Sequence, residues 1–369
     1  MRIAIALVLV GVGTVVFHFL SPWWWTPIAS NWGFIDQTII ITFWITGVVF
    51  IAVILFIAWC TYKYRARDGH RAEYEPESKK LEIWLTVGTA IGVIALLTPG
   101  LFAWADFVTV PDDAAEIEVL GQQWQWSFRY PGEDGILGTT DIANVSGSNP
   151  FGLHADDPNG QDDVLIVGNE IHLPLGQPLK VLLRSKDVLH NFYVPEFRAK
   201  MDMVPGMVTY FWFTPIRTGE FDIICAELCG IAHYAMRGRA IVDEVEDFEA
   251  WLAEQPTFAE TQASGGATDV TALGDPVAAG QRIAQSQGCI ACHTLDGSAG
   301  VGPTWLGLFG KTETLDDGST VEVDAAYLLE SIIEPSAKIV EGFPPAMPAY
   351  DLGDANNDAL LAYIESLAP

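Results

Sequence analysis

The sequence predicts a multidomain membrane protein that combines a transmembrane helical hairpin, a β-sandwich and a small all-α domain. Three observations predict these parts: long apolar stretches near the N-terminus, short β-rich runs in the middle, and two helical patterns around a Gly- and Pro-rich segment near the C-terminus. With 369 residues, of which 50% are hydrophobic, the chain is long enough for two or three domains. It is too apolar for an ordinary soluble protein, so we expect a membrane anchor.

The first apolar stretch covers residues 3–20, after Arg2 and before Trp23, Trp24 and Trp25, whose rings suit a membrane interface. At about 18 residues it approaches the length of a bilayer span. No small-x-small cleavage motif is evident, although a signal peptide has the same general pattern. We therefore expect residues 1–30 to form either a signal peptide or an additional N-terminal helix.

Two longer apolar stretches, at residues 35–60 and 81–107, predict a transmembrane hairpin in residues 31–110. The segment between them holds the densest cluster of basic residues, which is Lys63, Arg65, Arg67, Arg71, Lys79 and Lys80. By the positive-inside rule this segment faces the cytoplasm. We expect a multi-pass protein of the bacterial cytoplasmic (inner) membrane, in contact with lipid, whose chain after Pro111 lies on the periplasmic side.

Residues 111–250 contain short runs of β-branched and aromatic residues separated by turn residues, which is the spacing of a β-sandwich. The predicted strands are 117–120, 124–130, 164–167, 179–183, 209–213 and 239–242. Residues 131–163 are rich in Gly, Asn and Asp and lack clear periodicity. This composition favours a surface loop, with a further hairpin as the alternative.

Residues 251–276 have few large apolar side chains and include Ser264, Gly265 and Gly266, so we interpret them as a linker. A last domain, residues 277–369, follows the linker. Helical patterns at its two ends, 277–287 and 358–367, flank a Gly- and Pro-rich middle. This is the outline of a small helical domain.

The formal net charge is −28, from 47 acidic and 19 basic residues. It argues against nucleic-acid binding, because a phosphate-binding surface needs clustered Lys and Arg. Two explanations of the acidity stay open: a docking face for a basic partner protein, and solvation in a salty habitat. The second is favoured since acidic residues are spread along the whole extramembrane part.

The first group of candidate ligands comprises Cys225, Cys229, His233 and Met236, which lie close together in the sequence, and His190, at a separate predicted strand end. Thiolates, imidazoles and a thioether select copper over magnesium or calcium. Two cysteines four residues apart in a loop can direct both sulfurs at one pair of metals, and a rigid thiolate-bridged pair suits fast electron transfer. Blue-copper and structural zinc sites are disfavoured, because the first needs one Cys and the second no Met.

The second group of candidate ligands begins with a Cys-x-x-Cys-His motif, formed by Cys289, Cys292 and His293. In an exported domain this motif is the attachment signature of c-type haem, with a redox disulfide as the main alternative. Met347 is flanked by prolines and is the only methionine of the last domain. It is the candidate sixth ligand of the iron, and a methionine at this position keeps the reduction potential high.

These motifs resemble subunit II of cytochrome c oxidase over residues 30–245, through residues 121–127, 185–190 and 225–236 and the two preceding spans. The resemblance implies a cupredoxin-like β-sandwich or barrel with the dinuclear centre called copper A, which holds two copper ions. The ligand set that it implies is His190 and Met236 for one copper, His233 and the Glu227 carbonyl for the other, and Cys225 and Cys229 as bridges.

Residues 277–368 resemble the all-α class I cytochrome c domain that is fused to this subunit in caa3-type haem-copper oxidases. The loop at 302–307 is similar to the one that lies beneath the haem in that class. The resemblance implies a covalently bound haem c on Cys289, Cys292, His293 and Met347.

The resemblance also implies roles for four further residues. Trp124 takes the place of the tryptophan on the electron route, with an interface or core tryptophan as the alternative. Glu82 is similar to the glutamate where protons enter a channel, although a charged residue so near the interface can simply snorkel. Asp187 keeps the acidic character of the cytochrome-docking site, with a solvated surface acid as the alternative. The Glu227 side chain is implied to reach a magnesium or manganese ion.

Two positions depart from the family pattern. Gln122 stands where a His is common, and Arg129 stands where the family often has an acid. The arginine weakens the expectation that an external basic cytochrome docks in the standard way.

The expected function is that of the subunit through which electrons enter an aerobic respiratory cytochrome c oxidase. Electrons pass from c-type haem through copper A to a catalytic subunit that reduces O₂ to water with proton pumping. The implied partners are subunit I with haem a and copper B, subunit III, and an upstream c-type cytochrome or cytochrome-reducing complex. This chain lacks the intramembrane histidines that O₂ reduction needs, so the chemistry of O₂ takes place on a partner.

The same motifs bear on three alternative functions. A copper A nitric oxide reductase would use the same module with another catalytic subunit. A free membrane-tethered redox carrier or a copper-storage protein belongs to a different class. A quinol oxidase subunit is disfavoured because the copper ligands are intact.

Overall fold

The computed structural model describes residues 1–21, 26–71, 74, 76–146, 149–263, 275–350 and 352–367. The chain divides into two units, residues 1–109 and 110–369. The predicted interfacial tryptophans Trp23 to Trp25 and the Ser264–Gly266 segment of the predicted linker lie outside the described residues.

The described residues of the first unit form three helices, α1 (Arg2–Leu20), α2 (Gly33–Lys63) and α3 (Lys79–Val108). All three are long and apolar enough to cross a membrane. Helix α1 packs on α2, where the side chains of Ile51 and Ile54 lie within 4 Å of a Cβ built on Gly11. Residues 2–20 therefore form a helix, which both alternatives for the N-terminal stretch allow, and the predicted hairpin of α2 and α3 is confirmed.

A sandwich of two five-stranded sheets begins the second unit. In the first sheet the order is β3-β2-β1-β5-β8, with β1 and β5 parallel. Its strands are β1 (Ala115–Gln122), β2 (Gln125–Tyr130), β3 (Val164–Val167), β5 (Leu179–Ser185) and β8 (Thr209–Phe213). Each of these strands was predicted from the sequence.

The second sheet has the order β4-β10-β9-β6-β7, with β4 and β10 parallel. Its strands are β4 (Glu170–Pro174), β6 (His190–Val194), β7 (Ala199–Met203), β9 (Gly219–Cys225) and β10 (Arg237–Asp243). Only β10 was predicted. Aromatic rings fill the space between the sheets, as where Trp126 of β2 meets Phe192 of β6 edge to face at 5.5 Å.

The insertion at residues 131–163 corrects our prediction of a surface loop. Short 3₁₀ turns at Ile142–Asn144 and Pro158–Gly160 shape it, and Phe151 and Leu153 are buried. Together with Leu120 and Phe258 these two side chains form a separate small core. Phe151 and Leu153 hold the insertion in place through their contacts in this small core, while Asp141 and Asp157 accept hydrogen bonds from the backbone of the turns.

Two helices, α4 (Val245–Ala253) and α5 (Phe258–Ala263), follow the sandwich. The backbone N–H of Phe258 donates to the carbonyl of Asp163 at 2.7 Å, and its side chain is buried. Residues 258–263, which we assigned to the linker, are therefore a helix packed against the insertion.

The C-terminal domain contains three helices, α6 (Pro276–Ser286), α7 (Ala325–Ile333) and α8 (Asp354–Ser366). Helices α6 and α8 were predicted. The Gly- and Pro-rich middle supplies α7 and a two-stranded ribbon of β11 (Thr312–Thr314) and β12 (Thr320–Glu322), so this domain is mainly rather than wholly α-helical. Its helices form one apolar core that includes Ile283, Tyr327 and Leu360.

Candidate metal and haem sites

The candidate copper ligands come together at one end of the second sheet. His190 begins β6 and Cys225 ends β9, and these strands are neighbours. The loop after Cys225 carries Cys229 and a 3₁₀ turn at His233–Ala235, and Met236 directly precedes β10. Strand pairing thus places residues that are far apart in the sequence around one point.

Short distances join these side chains. The two sulfurs of Cys225 and Cys229 lie 3.7 Å apart. Cys225 Sγ is 3.9 Å from His190 Nδ1, and Cys229 Sγ is 3.5 Å from His233 Nδ1 and 3.8 Å from Met236 Sδ. Two imidazole nitrogens and one thioether sulfur therefore lie around the two cysteine sulfurs, which makes five possible donor atoms in all.

The chemistry of this donor set fits copper. His190, Cys225, Cys229 and Met236 are at most 3% exposed, and the carbonyl oxygen of Glu227 lies 3.2 Å from Cys225 Sγ. Sulfur and imidazole donors prefer copper over hard cations. The hydrogen bond between the two sulfurs lowers the pKa of Cys225 to about 3 and raises that of Cys229, so the pair readily holds one thiolate, the form that binds metals.

The candidate haem ligands line one apolar cavity of the C-terminal domain, which includes Cys289, Cys292, His293 and Met347. Burial raises the pKa of Cys289 to about 12 and that of Cys292 to about 11, so both are protonated thiols at neutral pH. A cavity with two thiols, an imidazole and a thioether in apolar walls fits a covalently bound haem.

The tautomer of His293 follows from its hydrogen bond. Its Nδ1 lies 2.7 Å from the carbonyl oxygen of Pro303, which can only accept, so Nδ1 carries the proton and Nε2 keeps its lone pair. Burial lowers the pKa of His293, which keeps the ring neutral. Trp305 stacks on the ring with centroids 5.2 Å apart. The imidazole is therefore held in the orientation and protonation state that an iron ligand needs.

Trp124 contacts both sites. Its indole Nε1 donates to the carbonyl of Cys229 at 3.3 Å, and the side-chain amide of Gln123 donates to the same carbonyl at 2.7 Å. The ring also lines the cavity that contains Cys289 and Cys292. Trp124 was predicted to begin a strand, but it lies in the turn before β2, which leaves the indole free to pack between the two sites.

Comparison with known proteins decides the family. The profile described as "Cytochrome C oxidase subunit II, periplasmic domain" matches residues 115–244, and "Cytochrome c" matches residues 277–368. An "Alternative cytochrome c oxidase subunit 2" of Bradyrhizobium diazoefficiens is 64% identical over 259 residues, which are 70% of this chain and 94% of that protein. The chain belongs to the cytochrome c oxidase subunit II family.

Two further similarities extend this result. A "Cytochrome c oxidase subunit 2" of Alkalihalophilus pseudofirmus is 29% identical over 350 residues, which cover 89% of this chain and 85% of that protein. A crystal structure of the periplasmic domain of subunit II from Bradyrhizobium japonicum is 28% identical and covers 39% of this chain and 95% of its own, with a TM-score of 0.29. That score is too low to support a structural argument.

Family membership confirms several predictions. The chain is a subunit II with a C-terminal cytochrome c domain, and it has an electron-transfer role in a haem-copper oxidase, which is an oxidoreductase complex of several subunits. The two families imply copper A and haem c as cofactors. The apolar helices and the periplasmic family together indicate a membrane-anchored subunit with a periplasmic domain.

The two departures from the family pattern have structural explanations. Arg129 is buried, where it donates to Glu118 at 2.6 Å and to Asp163 at 2.7 Å, so it is absent from any docking surface. The side chain of Gln122 accepts a hydrogen bond from Lys186 at 3.2 Å. Because Arg129 is buried, it gives no argument against the docking of a basic cytochrome.

The sequence alone did not single out Gly230. Its φ of +128° lies in the region that favours glycine, and a Cβ at this position would lie 2.8 Å from Gln123 Nε2 and 2.9 Å from Trp124 Cζ2. Gly230 thus permits the close approach of Trp124 to the loop of candidate ligands. The sequence feature that could have identified Gly230 is its position directly after Cys229, a candidate ligand.

Proposed function

We propose that electrons enter a respiratory cytochrome c oxidase through this chain. The C-terminal domain receives them, and the copper domain delivers them to a catalytic subunit that reduces O₂ to water with proton pumping. The observation that carries this proposal is the position of Trp124, which donates to the Cys229 carbonyl and lines the cavity of Cys289 and Cys292.

The proposed copper ligands are His190 and Met236 for one ion, His233 and the Glu227 carbonyl for the other, and Cys225 and Cys229 for both. His190, Cys225, Cys229 and Met236 are buried, which limits the access of water, and the convergence of the ligands on two sulfurs supports a dinuclear site. When bound, the copper pair supplies one-electron chemistry with little change of geometry.

Cys289 and Cys292 would form the thioether bonds to a haem, and His293 and Met347 would bind its iron. The lone pair left on His293 Nε2 supports its role, and Pro303 holds the ring in place. Met347 packs against the core of the domain, which positions its thioether in the cavity wall.

Further partners and residues belong to the same proposal. Subunit I with haem a and copper B, subunit III and an upstream c-type cytochrome complete the complex, in the bacterial inner membrane with a multi-pass anchor. Three apolar helices and the basic segment before α3 support this placement. Glu82, in the first turn of α3, is proposed to lie where protons enter.

A magnesium or manganese ion at the Glu227 side chain needs ligands from the partner subunit. Among the residues that the structure describes, the only group of His, Cys and acidic side chains close enough to hold an ion is His190, Cys225 and Cys229. The proposal for Glu227 therefore applies to the assembled complex.

Purification of the native membrane complex tests the function. We expect reduced-minus-oxidised spectra to display a c-type haem, a near-infrared copper-pair band and a-type haems, with two coppers bound to this chain. Copper and c-haem signals with only b-type haems would favour a nitric oxide reductase instead. The absence of any copper band would overturn the proposal.

Trp124→Phe tests the electron route. Phenylalanine fits the space but lacks the N–H that donates to Cys229, so we expect electron transfer from haem to copper to slow by about tenfold or more, since small displacements of reacting groups have large effects on rate. Flash photolysis of the complex measures this step. Trp251→Phe is the control, because Trp251 stacks on His172 away from both sites. Equal rates in both variants would exclude Trp124 from the route.

A further inference from the structure

The carboxylate of Asp187 is fully engaged inside the copper domain. Its Oδ2 accepts a hydrogen bond from the backbone N–H of Gln123 at 2.7 Å. Its Oδ1 accepts from the backbone N–H of Val188 at 2.6 Å and lies 2.8 Å from His190 Nε2. The side chain is 30% exposed, so it is neither a free surface acid nor a core residue.

All three partners of Asp187 are hydrogen-bond donors. His190 directs Nδ1 at Cys225 Sγ, 3.9 Å away, which leaves Nε2 to carry the proton and to donate to the carboxylate. An ionised carboxylate is an acceptor only, so it matches this set of donors.

Two of the partners of Asp187, Gln123 and His190, belong to different parts of the proposed electron path. Gln123 directly precedes Trp124, and its side-chain amide donates to the Cys229 carbonyl. His190 is the first residue of β6 and a proposed copper ligand. Asp187 is therefore the side chain that joins the backbone of the Trp124 turn to the imidazole of His190.

We propose that Asp187 is a positioning residue, which holds the Trp124 turn and the His190 ring in one fixed arrangement, and that it is not primarily a docking acid. Asp187 acts through these two neighbours and touches no reacting atom. The inference rests on the proposed copper site, because it concerns how that site and Trp124 are held relative to each other.

A carboxylate that accepts the second N–H of a ligating imidazole makes that imidazole a stronger donor to the metal. Its negative charge also favours the more positive oxidation state of a nearby metal centre. Loss of the carboxylate is therefore expected to raise the reduction potential of the copper pair.

Asp187→Asn provides the sharpest change, because it keeps the shape of the side chain. The amide has one oxygen and one NH₂ group in place of two oxygens, and every partner is a donor. The amide oxygen is expected to take the place of Oδ1, where it accepts from both Val188 and His190, so the NH₂ group faces the backbone N–H of Gln123 in a donor–donor contact. Asp222→Asn is the matched control, since it removes the same charge from an exposed position on β9.

Two readouts on the full complex test the proposal. Hydrogen exchange of the Gln123 amide should become about tenfold faster in Asp187→Asn, the effect of losing one hydrogen bond to a carboxylate. The copper reduction potential should rise in the same variant. Asp222→Asn should change neither value. The exchange readout needs no copper, so it separates failure of this inference from failure of the copper assignment.

A docking role predicts a different result. Asp187→Asn would then leave the Gln123 exchange rate and the copper potential unchanged, while it weakened the salt-dependent reaction with a soluble basic cytochrome c, and the proposal would be overturned. If the variant does not fold, wild-type complex in D₂O decides the question by electron–nuclear double resonance. The His190 Nε2 proton should exchange slowly, and exchange as fast as that of an exposed imidazole would contradict the inference.

Discussion

The copper domain and the cytochrome c domain build their sites in different ways. In the copper domain a core of buried aromatic side chains, such as Trp126, Phe128 and Phe211, lies between two sheets, and the candidate ligands lie beyond it at the ends of β6 and β9. In the cytochrome c domain Cys289 and Met347 pack against the core itself and line the cavity. In the first domain the site lies at the end of the sheets, outside this aromatic core. In the second domain the site residues are part of the core.

This difference indicates which of the two domains depends on its cofactor for folding. A sandwich that buries its apolar surface between sheets has its stabilising contacts without the metal. A small helical domain whose core contains the cavity buries less apolar surface when the cavity is empty. Small domains also have a low free energy of unfolding, because they bury a smaller fraction of their surface. We expect the copper domain to stay folded without copper and the cytochrome c domain to need its haem.

The largest expected effect comes from replacing each cysteine pair by serine in the full chain. Cys289→Ser with Cys292→Ser should unfold the cytochrome c domain, because haem is no longer attached, and limited proteolysis should then remove residues after the linker. Cys225→Ser with Cys229→Ser should abolish copper binding and leave the copper domain resistant to the same protease. Equal protease resistance of the two variants would contradict the expectation that only the cytochrome c domain needs its cofactor to fold.

A smaller effect is expected where the copper domain is anchored to the segment that leads to the cytochrome c domain. Phe258→Ala removes a ring from the core of the insertion and should destabilise it by about 3 kcal/mol, as for other buried Phe→Ala changes. Hydrogen exchange in residues 149–163 measures the change. Ile142→Ala in the same insertion is the control, because that side chain is 85% exposed. Similar exchange in both variants would show that Phe258 does not anchor the insertion.

The smallest effect concerns pH. Burial raises the pKa of Asp163 to about 6 despite the adjacent Arg129. Between the ordinary aspartate pKa and about pH 6 the folded state therefore holds more protons than the unfolded state, so this group's contribution to stability falls as pH rises. Asp163→Asn should remove a slope of up to about 1.4 kcal/mol per pH unit. Unfolding of both proteins between pH 4 and about 7 measures it, and parallel curves would contradict the shift.

The two sheets of the sandwich differed in how far the sequence predicted them. All five strands of the first sheet were predicted, but only β10 of the second. Three of the missed strands are short of apolar residues because polar or charged side chains occupy some of their positions, such as His190 in β6, Asp202 in β7 and Asp222 in β9. Such residues weaken the periodic signal on which strand prediction depends.

The insertion was misjudged for a related reason. Its composition is that of a loop, and among its described residues the large apolar side chains that are fully buried are Phe151 and Leu153. Their partners, Leu120 and Phe258, lie outside the insertion in the sequence, one before it and one after it. The composition of the insertion itself does not reveal such partners.

The sequence by itself determined the membrane spans, the candidate copper ligands and the haem-attachment motif, because hydropathy and the short spacing of chemically distinct residues are local properties. The tertiary structure alone decided that Trp124 bonds to Cys229, 105 residues away, and that Asp187 bonds to Gln123, 64 residues away. Such contacts depend on strand pairing and backbone geometry, which no local pattern encodes.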